Sequence, residues 1–165
     1  MPGPGKRKSP AAGEKSANPV VAQNRQASYR YSILERYEAG MVLTGSEVKS
    51  LREGGATLRD AYALVRRGEL WLEKFHISPY RSAGYAQHEP LRRRKLLLHK
   101  DQIWKLAGRV QEKGLTLVPL RIYFKNGRAK CELGLARGKK VHDRRAEVRR
   151  RILDREVEAE LERYR

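Results

Sequence analysis

Residues 138–145, with the sequence GKKVHDRR, place four cationic side chains, one imidazole and one carboxylate within eight positions. Lysine and arginine neutralise phosphate groups, and an imidazole set among them can stack on an RNA base. This pattern predicts a segment that contacts a nucleic acid. The alternative interpretation is a solvated, charged tail without a specific target.

The sequence does not indicate catalytic chemistry. Its four histidines, His76, His88, His99 and His142, are far apart and lack the spacing of metal ligands. No Ser-His-Asp set, metal motif or phosphate-binding glycine loop can be assembled from the chain. A small nuclease would need a pair of catalytic residues, and none can be named. We therefore predict a protein that is not an enzyme and that uses no metal and no cofactor.

The chain is strongly basic. Its 165 residues include 37 Lys and Arg against 19 Asp and Glu, which gives a formal net charge of +18. Solubility requires a net charge of only about 2–8, so this excess favours a polyanionic partner such as RNA, DNA or an anionic membrane. The membrane is the weakest candidate, because the sequence lacks the run of about 18 apolar residues that a spanning helix needs.

Two further features predict a cytoplasmic location. The N-terminal stretch carries charge but no apolar segment of the kind found in signal peptides. Cys131 is the single cysteine, which excludes an internal disulfide and a cysteine-based zinc site. Both observations fit a protein of the reducing cytosol.

We predict three parts along the chain. Residues 1–23 hold four of the seven prolines and too little apolar surface to fold, so they are predicted to be disordered. Residues 24–137 form the folded domain. Residues 138–165 form a tail with a basic start, predicted to be disordered in the free protein and helical when bound, because isolated helices of this length are marginal in water.

Local signals predict the first elements of the folded domain. Apolar and polar residues alternate over residues 29–37, which indicates a strand. Leu34 and Glu35 break the alternation, which predicts either a bulge or a strand that is covered on both faces. Thr44 and Glu47 have the spacing of a capping box, which predicts a short helix. A turn at residues 67–68 then predicts a hairpin.

The second half of the domain is predicted from similar signals. Residues 92–98 are predicted to form a helical turn, and residues 101–114 have the apolar spacing of an amphipathic helix. The dipeptide at residues 126–127, Asn-Gly, is a strong hairpin signal because both positions need a positive φ. Pro119 in the preceding strand predicts an edge or a bulge.

This order of elements predicts a mainly β fold with flanking helices. About five or six short strands with few helices are typical of a small closed antiparallel barrel. An OB-like barrel is the favoured fold, because it combines this size with nucleic-acid binding. Periodicity alone does not separate it from an SH3-like barrel.

Four segments resemble one protein family in residue type, order and approximate spacing. They are NRQA at 24–27, EAGMVLTGSEVKSLR at 38–52, RRRKLLLH at 92–99 and KNGRAKCELGLARGKKVHDRR at 125–145. On these residues the chain resembles the SmpB family, the small proteins that bind tmRNA. Gln26 stands where the family usually has Lys or Arg, and Arg144 stands where Lys is common, which keeps the charge but not the geometry.

The resemblance implies a function and a fold. SmpB proteins are RNA-binding adaptors of trans-translation and not enzymes. They bind the tRNA-like domain of tmRNA and escort it, charged with alanine and carried by elongation factor Tu, to ribosomes stalled without a stop codon. Their fold is an OB-like barrel with flanking helices, which agrees with the strand order above.

The resemblance also implies a surface that binds tmRNA. Its residues are Asn24, Arg25, Glu38, Arg94, Lys95 and Leu97. Asn24 would bond base edges or sugar hydroxyls, Glu38 would accept from base amino groups, and Leu97 would contact an unstacked base. Arg94 and Lys95 would contact phosphates. The competing structural roles are a loop cap for Asn24, an ion-pair partner for Glu38 and core packing for Leu97.

A second surface is implied for the ribosome. The residues that match the family string at the decoding centre are Gly138, Lys139, Lys140, His142, Asp143, Arg144 and Arg145. Seven of the thirteen residues at 139–151 are basic, so we predict that this segment becomes helical in an empty mRNA channel. The acidic end of the tail, residues 156–162, has no predicted partner.

Two other nucleic-acid functions remain open on composition. A permanently bound ribosomal protein would also be basic, barrelled and tailed, and only the motif resemblance distinguishes it. An unspecific single-strand binder would need several exposed aromatic residues on one sheet face. Aromatic residues make up 7% of this chain, and many of them are expected in the core.

Overall fold

The computed structural model describes residues 19–111 and 114–164. The strands are β1 (Val20–Gln23), β2 (Tyr31–Met41), β3 (Ala56–Thr57), β4 (Tyr62–Arg66), β5 (Glu69–Glu73), β6 (His76–Ile77), β7 (Arg94–Leu97), β8 (Leu115–Lys125) and β9 (Arg128–Gly138). The helices are α1 (Ala27–Arg30), α2 (Gly45–Arg52), α3 (Lys100–Gln111) and α4 (Val141–Arg163), and Gly84–Ala86 forms a 3-10 turn.

Six antiparallel strands close into a ring in the order β8-β4-β5-β7-β2-β9, and β9 pairs again with β8. β1 and β4 both pair with β8, along different parts of its length. β3 pairs with β6 in a separate two-stranded sheet. This confirms the predicted closed antiparallel barrel with flanking helices. The closure matters because it leaves few free strand edges.

The barrel is filled by one apolar core. Fully buried side chains include Leu70, Leu72, Leu117, Ile122 and Leu133. The helix α3 covers one end of the barrel and contributes Leu106, whose side chain has no exposed surface. A second, smaller cluster lies outside the barrel, where Val118 and Ala136 pack under α1.

The local signals in the sequence form as predicted. The backbone N–H of Thr44 donates to the Glu47 carboxylate at 3.2 Å, which confirms the capping box of α2. The two hairpin turns at residues 67–68 and 126–127 have positive φ at both positions. Register shifts beside Leu34 and beside Pro119 are the predicted bulges.

Three predictions of element position are wrong. The segment 92–98 does not form a helical turn, because residues 94–97 are the strand β7 between β5 and β2. Residues 29–30 belong to α1 and not to the strand that follows. The predicted disordered segment 1–23 extends too far, since residues 20–23 pair with β8; residues 1–18 lie outside the described residues.

The tail forms the 23-residue helix α4. None of its described side chains is buried, and the apolar residues along it are exposed: Val148, Ile152, Leu153, Val157 and Leu161. The helix begins at residue 141 with Lys140 as its N-cap, so Asp143 lies in the first turn and is not the predicted cap. The helical conformation is the one expected of the bound tail, and disorder of this segment in the free protein stays a prediction.

Candidate nucleic-acid interface

The outer face of β2, β9 and β8 carries Glu38, one of the residues predicted to bind tmRNA. Glu38 lies opposite Glu132, which in turn lies opposite Arg121 on β8. The neighbouring Ala39 and Cys131 are completely buried. Because side chains alternate between the two sides of a strand, Glu38, Glu132 and Arg121 project outward from the barrel.

Glu38 is held as an ionised acceptor on this face. It accepts a hydrogen bond from the Tyr123 hydroxyl and another from Lys125 Nζ at 3.4 Å. The Tyr123 hydrogen bond keeps the pKa of the Glu38 carboxyl below its ordinary value, and the Lys125 charge acts in the same direction. Burial and the Glu38 carboxylate raise the pKa of Tyr123, so this hydroxyl stays protonated and remains a donor.

These two bonds do not saturate Glu38. A carboxylate has about four lone-pair positions, and the Glu38 side chain keeps 39% of its surface exposed. The oxygens can therefore accept further donors from outside the protein. This is the chemistry expected of a contact to a base amino group, and the bonds to Tyr123 and Lys125 fix where the acceptor lies.

Leu97 lies beside Glu38 on an adjacent strand and is half exposed. Its neighbour Leu96 is buried, so the pleat of β7 separates the core leucine from the surface one. Leu97 lines a pocket of about 320 Å³ with Phe124 and Lys130. A Cβ at Gly40 would lie only 3.3 Å from Leu97 Cβ, so glycine at that position leaves room for the leucine.

Lys95 lies two residues before Leu97 on the same side of β7. Its Nζ forms an ion pair with Glu69 at 2.9 Å, and both side chains remain partly exposed. An exposed pair of this kind is weak, at about 0–1 kcal/mol. Lys95 can therefore exchange its carboxylate partner for a phosphate at little energetic cost.

Asn24 and Arg25 lie at the other end of the outer face. The Asn24 backbone N–H donates to the Leu120 carbonyl at 2.8 Å, and Asn24 Nδ2 donates to the Pro119 carbonyl at 3.2 Å. Both bonds attach the 24–28 loop to the bulge of β8. Arg25 is exposed and lines a pocket of about 470 Å³ next to Asn24.

The start of the tail is attached close to this loop. Gly138 is the last residue of β9, and the Lys139 backbone N–H donates to the Arg30 carbonyl at 2.9 Å. Lys139 Nζ donates to the Ser28 carbonyl at 2.9 Å and also forms an ion pair with Glu147. Lys139 therefore connects α1 to the first turns of α4.

The remaining predicted tail residues are open to solvent. Lys140, His142, Asp143 and Arg145 are exposed on the first turns of α4. Arg144 is half-buried, and its Nε has no hydrogen-bond partner within the described part of the chain. The cations of Lys140, Arg144 and Arg145 and the imidazole of His142 thus lie close together at the start of α4.

Known proteins are similar to this chain over most of its length. A profile of the SmpB protein family matches residues 21–163. The chain belongs to the SmpB family. It is 56% identical over 138 residues to the SsrA-binding protein of Desulforudis audaxviator, a match that covers 84% of this chain and 90% of that protein. It is 57% identical over 140 residues to the SsrA-binding protein of Thermosynechococcus vestitus, covering 84% and 92% of the two chains.

A solved SmpB-related structure has a similar fold. It is a chain described under the words "tmRNA-SmpB: a journey to the center of the bacterial ribosome". The two chains superpose with a TM-score of 0.62 at 54% sequence identity, over 72% of this chain and 84% of the other. The mainly β architecture is therefore shared with a solved structure at 54% sequence identity.

One residue predicted from the SmpB resemblance has a different position from the one expected. Arg94 was expected to contact phosphate, but its side chain is fully buried. Its guanidinium donates to the carbonyls of Phe75 and Pro90 and lies 3.4 Å from the Glu47 carboxylate. The prediction for Arg94 is wrong, because no part of the guanidinium reaches the surface where an RNA would bind.

Other outward residues of this SmpB-family chain were not predicted from its sequence. Arg36, Arg121 and Glu132 form a cluster beside Asn24, and Tyr123 and Lys125 hold Glu38. The sequence signal that indicates them is the alternation of inward and outward side chains along a strand. Since Cys131 and Leu133 are core residues, every second residue of β9 and of its partners must face outward.

Two other kinds of feature are absent from the described residues. No group of three or more His, Cys, Asp or Glu residues within residues 19–111 and 114–164 is arranged to hold a metal ion. In the same ranges no helix is both long and apolar enough to cross a membrane. Cys131 is completely buried, and burial raises the pKa of its thiol, which keeps it protonated.

Proposed function

We propose that this chain is an RNA-binding adaptor of trans-translation. It binds the tRNA-like domain of tmRNA through the outer face of the barrel and delivers alanyl-tmRNA, carried by elongation factor Tu, to stalled ribosomes in the cytoplasm. The observation that carries this proposal is the match of most of the chain to the SmpB family, together with its similarity to proteins named SsrA-binding proteins.

The barrel has the chemistry that recognition of a folded RNA requires. Phosphate contacts position an RNA, whereas contacts to bases and sugars select it. Lys95 and Arg25 are exposed enough to contact phosphate, and the ionised Glu38 is an acceptor that phosphate repels. Leu97 adds an apolar surface on which an unpaired base can pack. This combination of cationic, acidic and apolar side chains favours selective RNA binding over binding by electrostatic attraction alone.

The tail supplies a second, separate function. From residue 139 to residue 151 it has seven basic residues against two acidic ones, and none of the side chains described in this segment is buried. We infer that α4 enters the mRNA channel near the decoding centre when the channel is empty. There the phosphates of ribosomal RNA neutralise its cations, whereas a channel that contains mRNA has no room for the helix.

Substitution of Asn24 and Glu38 tests the barrel surface. Asn24→Ala and Glu38→Ala are each expected to weaken tmRNA binding by about 1–3 kcal/mol, the cost of a polar group left unpaired. Gln111→Ala and Glu53→Ala are matched controls, because both residues are exposed, carry the same types of group and lie away from this surface. Gel-shift titration measures the affinities, and circular dichroism checks the fold. If both site variants bind tmRNA as the parent does, this surface is assigned wrongly.

Salt dependence separates selective from unspecific binding. Affinity for any RNA is expected to fall steeply with salt through counterion release. The preference for tmRNA over generic RNA of equal length is expected to survive at physiological salt. Loss of that preference would favour an unspecific single-strand binder. Co-purification of ribosomal RNA in stoichiometric amount, with little tmRNA, would favour a permanent ribosomal protein.

Truncation tests the tail. A chain that ends at Lys140 keeps all of β9 and the Lys139 bond to α1, whereas one that ends at Arg137 loses Gly138, the last residue of β9, and the Lys139 bond. The chain ending at Lys140 is expected to bind tmRNA about as well as the full protein and to fail in tagging on stalled ribosomes. Full tagging without the tail, or loss of tmRNA binding on this truncation, would contradict the proposal.

A further inference from the structure

A pocket at the edge of the outer face has an arginine-rich lining. It lies between the 24–28 loop and strands β2, β8 and β9, and its volume is about 470 Å³. The charged side chains that line it are Arg25, Arg36, Arg121 and Glu132. Three positive charges against one negative charge leave an excess of two positive charges, so the pocket attracts an anion.

One carboxylate holds two of these arginines. Arg36 Nη1 donates to Glu132 Oε1 at 3.2 Å, and Arg121 Nε donates to Glu132 Oε2. The Glu132 side chain is only 13% exposed, whereas those of Arg36 and Arg121 are 64% and 48% exposed. The carboxylate thus lies beneath two guanidinium groups that remain open to solvent. We refer to Arg36, Glu132 and Arg121 as the surface triad.

Arg121 is fixed on a second side. Its guanidinium lies over the Tyr123 ring, 5.4 Å from the ring centroid. Tyr123 in turn donates its hydroxyl hydrogen to Glu38. A continuous series of contacts therefore runs from Arg36 through Glu132, Arg121 and Tyr123 to Glu38. The pocket and the Glu38 acceptor are positioned by the same set of side chains.

We propose that this pocket binds a phosphodiester group of the RNA backbone, and that Glu132 positions Arg36 and Arg121 for that contact. A guanidinium has five N–H donors in a planar fork that matches two phosphate oxygens. Arg36 and Arg121 use few of these donors within the protein. Because the orientation is set before binding, less side-chain freedom is lost when the phosphate arrives.

The proposal rests on the proposed function, since the ligand is the tRNA-like RNA that contacts Asn24 and Glu38. Asn24 lines the same pocket, and Glu38 lies at the other end of the contact series. The surface triad lies between them in this series, so an RNA that contacts both residues can also contact the triad. The pocket therefore adds a phosphate contact between two contacts that select bases or sugars.

The experiment measures two affinities at several salt concentrations for the full-length chain. One ligand is an RNA with the tRNA-like domain, and the other is a generic RNA of equal length. Arg36→Ala and Arg121→Ala are each expected to lower the first affinity about tenfold, as the loss of a charge-assisted hydrogen bond does. Each is also expected to reduce the slope of log affinity against log salt by about 0.7–0.9.

Glu132→Gln separates positioning from charge. It makes the protein more positive, so affinity for generic RNA is expected to stay equal or to rise. Affinity for the tRNA-like RNA is expected to fall, because the two guanidiniums lose their common partner. A thermal melt close to that of the parent shows that the barrel is intact. A purely structural role would instead lower both affinities together.

Arg66→Ala is the matched control, because it removes one exposed charge at the tip of the β4–β5 hairpin. If Arg36→Ala and Arg121→Ala behave like Arg66→Ala, the pocket proposal is overturned. If Glu132→Gln binds both RNAs more tightly to the same extent, its positioning role is overturned. Failure of the proposed function would be seen in the parent protein itself, as equal affinity for the two RNAs.

Discussion

Two clusters in this molecule have the same composition and opposite burial. In the surface triad, Glu132 lies between two exposed arginines on the barrel wall. In what we call the buried triad, Glu47 lies between Arg92 and Arg94, and the side chains of Glu47 and Arg94 have no exposed surface. Residue type alone does not decide whether an arginine can bind RNA. The surrounding protein determines whether any guanidinium N–H group remains free to bind a ligand.

The buried triad joins three segments that are distant in sequence. Arg92 forms a two-pronged contact with Glu47, with distances of 2.7 and 3.0 Å. Arg94 lies 3.4 Å from the same carboxylate and donates to the Phe75 and Pro90 carbonyls. Helix α2, the start of β7 with the loop before it, and the segment between β5 and β6 are thereby held together. The buried triad supports the fold, whereas the surface triad leaves its donors available.

The largest effect on stability is expected from Glu47→Ala. Removing one partner of a buried ion pair leaves an uncompensated charge and costs about 3–5 kcal/mol. Urea denaturation followed by circular dichroism measures the free energy of unfolding. A loss below about 1 kcal/mol would show that water reaches Arg94, and the distinction between the two triads would then fail.

Arg94→Lys sharpens the comparison within the buried triad. Lysine keeps the charge but has one ammonium group in place of a planar fork. It cannot serve the Phe75 and Pro90 carbonyls and the Glu47 carboxylate at once. The expected loss is about 1–3 kcal/mol, from buried acceptors left unpaired. Arg36→Lys is the matched control, and the same urea titration is expected to show a much smaller change.

Acid weakens the buried triad without any substitution. Burial alone raises the pKa of the Glu47 carboxyl, but the Arg92 hydrogen bond and the Arg94 charge outweigh burial and leave that pKa lowered. Its stabilising contribution is therefore complete above the ordinary glutamate pKa of about 4.3 and is lost as the pH falls through the lower pKa of the folded state.

This loss can be isolated by difference. The free energy of unfolding of the parent is expected to fall more steeply below about pH 4.3 than that of Glu47→Gln. Other carboxylates contribute equally to both proteins and cancel. If the free energies of unfolding of the two proteins change with pH in parallel, the Glu47 carboxyl has the same pKa in the folded and unfolded chain.

The smallest effect on stability is expected from Glu132→Ala. Exposed ion pairs contribute about 0–1 kcal/mol and are screened by salt. The variant should therefore unfold within about 1 kcal/mol of the parent at physiological salt. A loss as large as that for Glu47→Ala would mean that the surface triad is part of the structural core, and its arginines would then not be free to turn toward RNA.

The fold was predictable where its causes are local. The capping box of Thr44 and Glu47 and the Asn126-Gly127 turn depend on residues a few positions apart, and both formed as expected. The strand β7 was missed because a short apolar run satisfies a helix or a strand equally well. Its pairing with β5 and β2 decides the outcome, and neither strand is adjacent to it in sequence.

The site was predictable only in part, for the same reason. Arginine is rarely buried without a partner, so Arg94 in a basic segment was expected at the surface. Its burial depends on Glu47, which lies 47 residues earlier in the chain. The residues around Arg36 and Arg121 were missed because they meet only through the register of β2, β9 and β8.

Because Lys139 is attached to α1, the helix α4 can rotate as one unit about a fixed point, or pivot, at Lys139. Lys139 donates one hydrogen bond from its backbone to Arg30 and one from its side chain to Ser28. These bonds hold the start of the tail against the segment that carries Asn24. The helix beyond it has 23 residues and is about 35 Å long. A rotation of about 10° at the pivot moves the far end by about 6 Å over that length. A small movement of the segment that carries Asn24 would thereby become a larger displacement at the far end of α4.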